Sequence, residues 1–255
     1  MRLQDKVAVI TGGGSGIGRA ASLLFAAEGA KVVVADYQGV YGRPVGQEVA
    51  DEIKAQGGEA IYSETDLSVD EQVAAMARRA VEEYGKINVL FNNASHGYSS
   101  PLTMTTLLDT PEQDWNEVIK NNLNSLFLCT KYCHPEIAKA GGGSIINTGS
   151  SNALVAVPGA DAYTAAKGGV VALTRIMAIT YAPDIRVNCI CPGAVRTPMI
   201  TTMLELLEDY LTQNIPLKRV AEPEEIARVA LFLASGESSY ITGAIIPVDG
   251  GWTTL

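Results

Sequence analysis

Val7-Ala8-Val9-Ile10-Thr11-Gly12-Gly13-Gly14-Ser15-Gly16-Ile17-Gly18 decides the fold of this chain. An unbroken apolar run reads as a buried strand, and Ile17 to Glu28 then takes up the helical period. A strand apolar on both faces belongs to a parallel sheet covered on both sides. The glycine turn brings backbone N–H groups and the positive helix end to a pyrophosphate with no Cβ in the way. Gly16-x-Gly18-x-x-Ala21 meets the general dinucleotide spacing, which flexible turns also meet. Position strengthens it, because Asp36 ends the second strand eighteen residues after Gly18. A carboxylate there accepts both adenosine-ribose hydroxyls and repels a 2′-phosphate. Tyr37 follows where a phosphate site would want Arg or Lys, and Arg43 is the alternative base in the loop beyond. NAD is favoured over NADP.

The same alternation continues outward from that unit. Lys31–Ala35, Ala60–Tyr62, Ile87–Phe91, Ser144–Asn147 and Ile185–Asn188 read as further strands. Between them, Val45–Gln56, Val69–Tyr84, Pro111–Ala140 and Ala160–Tyr181 read as helices. Ser68 or Asp70 and Thr110-Pro111 mark helix starts, while Gly29, Gly57 and Gly85 follow helix ends. Repeated β-α-β units predict an α/β fold, a doubly wound parallel sheet with helices on both faces, formed by residues 1–255 as a single domain. Tyr37–Gly46 and His96–Asp109 break the pattern as loops at the C-terminal ends of strands, where open α/β sheets bind ligands.

Composition narrows the function. The 255 residues are 47% apolar and 18% charged, as in ordinary globular domains. A net charge of −9 argues against nucleic acid or an anionic membrane as partner. No apolar run reaches the roughly 18 residues of a membrane span, since Arg175 interrupts Val170–Ala182. The first residues do not read as a signal peptide, so the expected location is cytoplasmic. Cys129 and Cys133 share a helix face, and Cys189 and Cys191 share a strand face. Their spacing matches no common zinc pattern and only His96 and His134 offer imidazole, so the four read as buried thiols with no metal site.

Tyr163 and Lys167 stand one helical turn apart on one helix face. A free tyrosine titrates near about 10 and is a poor base at neutral pH, but a nearby cation stabilises its phenolate. Such a pair exchanges a proton with an alcohol or carbonyl, although the same spacing also occurs on solvated helix faces.

Together these residues resemble the short-chain dehydrogenase/reductase family along the whole chain. Thr11-Gly12-x-x-x-Gly16-x-Gly18 has that family's own turn spacing, which implies cofactor contacts at Gly12, Ser15, Gly16, Ile17 and Gly18. Asp66-Leu67 resembles its adenine contact, and Asn92-Asn93-Ala94 its Asn-Asn-Ala-Gly motif, with Ser95 standing where the family has glycine. Asn122 resembles the helix asparagine, with Asn121 as its neighbour. Ser150 precedes Tyr163 by thirteen residues, the family's separation, and Ser151 is the adjacent alternative. Pro192-Gly193-Ala194-Val195-Arg196-Thr197 is similar to the segment that holds the nicotinamide carboxamide, through Val195 backbone and the Thr197 hydroxyl. Asp249-Gly250-Gly251 is similar to the family's last-strand signature.

The resemblance implies a catalytic set of Asn122, Ser150, Tyr163 and Lys167, with Asn93, Ala94, Tyr163 and Lys167 also touching the cofactor. It implies an NAD-dependent oxidoreductase acting on a small secondary alcohol or ketone, and a homotetramer. From the family layout, Ser95, His96, Tyr98, Asn152, Ala153 and Leu154 face the substrate, as do Val157, Val195, Met199, Met203 and Trp252. That set is largely neutral, so an uncharged substrate is expected. Met199–Asn214 is expected as a substrate lid or a simple amphipathic helix. The rival classes are a non-catalytic NAD-sensing regulator, which would typically lack the tyrosine or lysine, and an isomerase or dehydratase with a larger C-terminal region.

Overall fold

The computed structural model describes residues 1–37, 42–95 and 105–254, and for Thr202 and Met203 the backbone only. Seven strands form one parallel sheet: β1 (Val7–Thr11), β2 (Lys31–Asp36), β3 (Glu59–Glu64), β4 (Val89–Asn92), β5 (Gly143–Thr148), β6 (Ile185–Pro192) and β7 (Ile245–Val248). Their order is β3-β2-β1-β4-β5-β6-β7, so the winding reverses between β1 and β4. In such sheets the ligand crevice opens beyond the strand ends at that reversal.

Helices cover both faces. On one side α1 (Gly16–Ala27), α2 (Val45–Ala55) and α8 (Pro223–Ala234) pack Phe25, Ile53 and Leu231 against Ile10 and Val32. On the other, α3 (Asp70–Tyr84), α5 (Ser125–Lys139) and α6 (Asp161–Thr180) pack Met76, Ile137 and Val170 against Val9 and Ile145. A doubly wound α/β single domain is therefore observed. Among the described residues no helix is long and apolar enough to cross a membrane.

Three elements differ from the expectation. The helix foreseen over Pro111–Ala140 runs as α4 (Glu112–Ile119), a π turn at Lys120–Asn124, and α5. The strand β7, which the resemblance implied through the last-strand signature at Asp249-Gly250-Gly251, was not read from the local pattern, because it is short, half-exposed and contains Pro247. Among the described residues it pairs only with β6, and an edge is where a strand tolerates a residue without an N–H. Helix α8 was not foreseen either, although Pro223 at its first turn and the reciprocal Glu222/Glu225 capping box are start signals. At α3 the N-cap residue is Val69, between the two expected candidates; Ser68 instead donates to Asp66 Oδ1 at 2.6 Å.

Buried amides fix α6 to the sheet. Asn92 Nδ2 donates to Asn147 Oδ1 at 2.9 Å, and Asn147 Nδ2 donates to Thr174 Oγ1 at 2.9 Å. This chain joins β4, β5 and α6, and so sets the height at which the helix presents its first turns.

Candidate active site

A cleft of about 500 Å³ lies across the C-terminal ends of the strands. Its nucleotide half is built mostly of backbone. Gly12 and Gly16 adopt left-handed φ values of 63° and 48°, which suit glycine. A Cβ on Gly18 would sit 1.9 Å from the Gly12 carbonyl oxygen, so only glycine lets α1 close onto the turn. Gly18 thus lies behind the cleft wall, whereas Gly12, Ser15, Gly16 and Ile17 line it. Thr11 Oγ1 accepts from the N–H groups of Asn93 (3.0 Å) and Ala94 (3.1 Å), tying the end of β1 to that of β4.

Asp36 ends β2 at 8% exposure, its Oδ2 accepting from Gly14 N at 2.7 Å and its Oδ1 from Tyr37 N at 2.8 Å. Burial pushes its pKa up, and the two N–H groups pull it down. Arg43 does not reach it; its guanidinium meets both oxygens of Glu48 at 2.6–2.7 Å. Asp66, Leu67, Asn93 and Ala94 line the cleft as well, as do Pro192, Gly193, Val195 and Thr197. A glycine cradle at the start of a helix with no acid in its first turn, beside a buried carboxylate, fits a dinucleotide.

The other half is built by side chains. Tyr163 and Lys167 project from successive turns of α6 at 7% and 1% exposure. Lys167 Nζ donates to the Thr148 carbonyl at 3.0 Å and lies 5.5 Å from the centre of the Tyr163 ring. Burial pushes its pKa down to about 8, while Cys189 and Cys191 beside it act in the opposite direction. All four cysteines are buried, and the 189/191 sulfurs lie 3.9 Å apart. Ser150 opens a short 3₁₀ turn (Ser151–Ala153), its Oγ accepting from Asn152 N at 3.2 Å. Ser150, Tyr163 and Lys167 all line the cleft.

Asn122 sits elsewhere. It lines a separate cavity of about 10 Å³ with Lys167, Thr148 and Asn92, while Asn121 faces the main cleft. Its Nδ2 donates to the Val118 carbonyl at 2.9 Å, and its Oδ1 accepts from Ser95 Oγ at 2.5 Å. The serine that replaces the expected glycine thus holds this asparagine. The π turn around Asn122 was not legible in the sequence.

Of the expected substrate-facing residues, Ser95, Asn152, Val157, Val195, Met199 and Trp252 line the cleft. Ala153 and Leu154 do not. His96, Tyr98 and the Met203 side chain lie outside the described residues. Helix α7 (Thr201–Asn214) adds Leu207, Tyr210 and Leu211, and Ile215 follows it. Their apolar spacing within the Met199–Asn214 segment was the available signal. The charged side chains among the described lining residues are Asp36, Asp66 and Lys167.

A family model described as Enoyl-(Acyl carrier protein) reductase matches residues 12–253. A cyclohexanol dehydrogenase of Acinetobacter sp. (strain SE19) is 38% identical over 99% of this chain and 97% of its own length. A meso-2,3-butanediol dehydrogenase of Serratia marcescens is 40% identical over 99% of this chain and 96% of its own. A 3-oxoacyl-[acyl-carrier-protein] reductase of Thermotoga maritima is 39% identical over 98% and 99%.

Proposed function

Because this chain belongs to the short-chain dehydrogenase/reductase family of nicotinamide-dependent oxidoreductases, we propose that it moves a hydride between NAD(H) and an uncharged secondary alcohol or ketone, with Tyr163 as acid/base. One observation carries this reading: Tyr163, a buried Lys167 and Ser150 line the same cleft. The nicotinamide supplies the hydride acceptor in oxidation and the donor in reduction. Tyr163 takes the alcohol proton as phenolate and gives it back in the reverse direction. Lys167 favours the phenolate and holds ribose hydroxyls. With the Lys167 ammonium 5.5 Å from the centre of the Tyr163 ring, the two groups titrate as a pair in this reading. Ser150 hydrogen-bonds the substrate oxygen and stabilises the charge that develops there.

Asn122 is the proposed link from Lys167 to solvent. The small cavity it shares with Lys167 is about the size that one water needs, and it is lined by polar groups. Gly12, Ser15, Gly16 and Ile17 hold the pyrophosphate, with Gly18 keeping the turn closed. Asp36 holds the adenosine ribose, Asp66 and Leu67 the adenine, and Asn93 and Ala94 the floor. Pro192, Gly193, Val195 and Thr197 hold the carboxamide. The preference for NAD is supported by Asp36 and by the pairing of Arg43 with Glu48. The uncharged substrate is supported by a substrate half without Arg or Asp among its described residues.

Residues 1–255 act as one dinucleotide-binding and catalytic domain in this reading, cytoplasmic and assembled as a homotetramer. Phe127 on α5 and Ile176 and Ile179 on α6 are more than half exposed, as residues awaiting a symmetry mate would be. The test is an NADH-absorbance assay over a panel of secondary alcohols with NAD and NADP side by side. Oxidation with NAD preferred is the expected result. Nucleotide binding without turnover of any substrate would point instead to an NAD-sensing regulator.

A further inference from the structure

We infer that Arg196 is a positioning residue for the substrate: paired with Glu208, its guanidinium latches helix α7 to the segment proposed to hold the nicotinamide. Arg196 stands between Val195 and Thr197, which both line the cleft. Its Nη2 donates to Glu208 Oε1 on α7 at 2.6 Å, and its Nε donates to Glu222 Oε1 at 3.3 Å. Glu222 is the N-cap of α8, which packs on the sheet. One side chain thus joins the end of β6, the N-terminus of α8 and the helix that supplies Leu207, Tyr210 and Leu211 to the cleft.

Helix α7 is held by little else. Its apolar side forms a small cluster with buried Ile200, Leu204 and Val220 at its centre, while Leu206, Leu207 and Tyr210 stay exposed. The helix carries Glu205, Glu208 and Asp209 and neither Lys nor Arg, so a counter-charge has to come from outside it. Among the described residues Glu208 is the one of the three acids in an ion pair, and its partner is Arg196. The hydrogen bond holds the Glu208 carboxyl below the usual carboxylate range. The arginine stands on fixed backbone: its N–H donates to the Ala221 carbonyl at 2.8 Å, and Ala221 N–H donates to the Ala194 carbonyl at 3.0 Å. A planar fork anchored at its base loses less freedom when it meets a carboxylate. An exposed ion pair shifts an equilibrium by only about two- to fivefold. That is small against the stability of a domain, but it is enough to bias the position of a helix so thinly packed.

Such a latch has a signature in salt. At saturating NAD, KM for an uncharged alcohol should rise about two- to fivefold between about 50 mM and about 500 mM NaCl in the wild type, because screening loosens an exposed pair. Glu208→Gln keeps the shape and loses the charge. Its KM should start about two- to fivefold higher and no longer respond to salt. kcat should not fall, since an opened wall weakens binding and leaves the proton and hydride untouched. Adding Arg196→Met to Glu208→Gln should raise KM no further, as expected of two residues that act through one contact. An unchanged KM in Glu208→Gln, a salt response that survives the substitution, or additive effects in the double variant would overturn the inference.

The inference rests on the oxidoreductase reading above, so a second readout is chosen that needs no turnover. Hydrogen exchange of the Thr201–Asn214 amides is followed in wild type and in Glu208→Gln at low salt, both without cofactor. Exchange about two- to fivefold faster on α7, with the rest of the chain and Tm unchanged, supports the latch even where no alcohol is oxidised. Equal exchange on α7 sinks it even where the wild type oxidises alcohols. Faster exchange throughout the chain with a lowered Tm would make the pair a contributor to overall stability, and sinks it too.

Discussion

The two halves of the cleft are made of different material. The nucleotide half is backbone: a glycine turn, N–H groups on Asp36, and strand ends tied by Thr11. The substrate half is side chain: Asn152, Val157, Met199, and Leu207 and Tyr210 from α7, which remain largely exposed. A backbone site admits few residue types. A Cβ at Gly18 would meet the Gly12 carbonyl at 1.9 Å, so the residue is set by the geometry. A wall of apolar side chains admits many, because aliphatic and aromatic groups of similar volume exchange at modest cost. In the proposed reading the first half holds the cofactor, and the second carries the catalytic side chains and selects the substrate.

Substitutions at the catalytic wall, where the halves meet, should have the largest effect. Tyr163→Phe is expected to lower kcat by about 10²–10⁴-fold, the usual share of general acid–base catalysis. The dissociation constant for NAD from fluorescence titration should stay within about threefold, since the hydroxyl moves a proton and does not hold the cofactor. Retention of a tenth or more of the wild-type kcat would remove Tyr163 from the mechanism.

Inside the nucleotide half, Asp36→Ala with Tyr37→Arg should move the NAD:NADP ratio of kcat/KM by about 10²-fold toward NADP. Repulsion is lost and a guanidinium partner gained, each a change of order 1–2 kcal/mol. An unchanged ratio in paired steady-state assays would mean that Asp36 does not select the cofactor.

Lys167 joins the two halves, and its burial has a thermodynamic signature. Its folded pKa is pushed down to about 8 by desolvation, below the ordinary lysine value near 10.5. Below pH 8 the lysine is charged in both folded and unfolded chains, and the folded state bears the full burial penalty. As pH rises from about 8 past 10.5, the folded chain binds fewer protons than the unfolded one, and the penalty fades. The stability of Lys167→Met relative to wild type should thus decline by up to about 3 kcal/mol between pH 7 and pH 11. Urea denaturation of both proteins across that range checks it, and a constant difference would mean that the lysine is not desolvated.

The smallest effect belongs to the substrate half. Tyr210→Ala should raise KM for the best alcohol severalfold, on the order of 1 kcal/mol of lost apolar contact, with NAD affinity unchanged. A parallel change in NAD affinity would show that α7 serves both halves and would blur the division.

The same contrast explains what the sequence made legible. Val7–Ile10 and Lys31–Ala35 announce buried parallel strands because both of their faces are apolar. Tyr163 and Lys167 stood out by their spacing and Ser150 by the family resemblance, and all three line the cleft. β7 was implied only by the signature at Asp249-Gly250-Gly251 and not by its own residues, because an edge strand obeys neither burial nor alternation and Pro247 argues locally against it. The π turn was missed because Lys120–Asn124 has no composition that marks an i→i+5 bond; within it Asn121 lines the main cleft and Asn122 the small cavity. Ser95 looked like a flaw in the motif; its bond to Asn122 became visible only in three dimensions.

The central claim is that the Tyr163–Lys167 pair handles the proton, and a pH–rate profile for alcohol oxidation tests it most directly when run on wild type and on His96→Gln. In both proteins kcat/KM should rise with pH and level off above an apparent pKa below about 10, a midpoint that belongs to the coupled pair. A rising limb centred near about 6.5 in the wild type and absent from His96→Gln would contradict this account and make His96 the base.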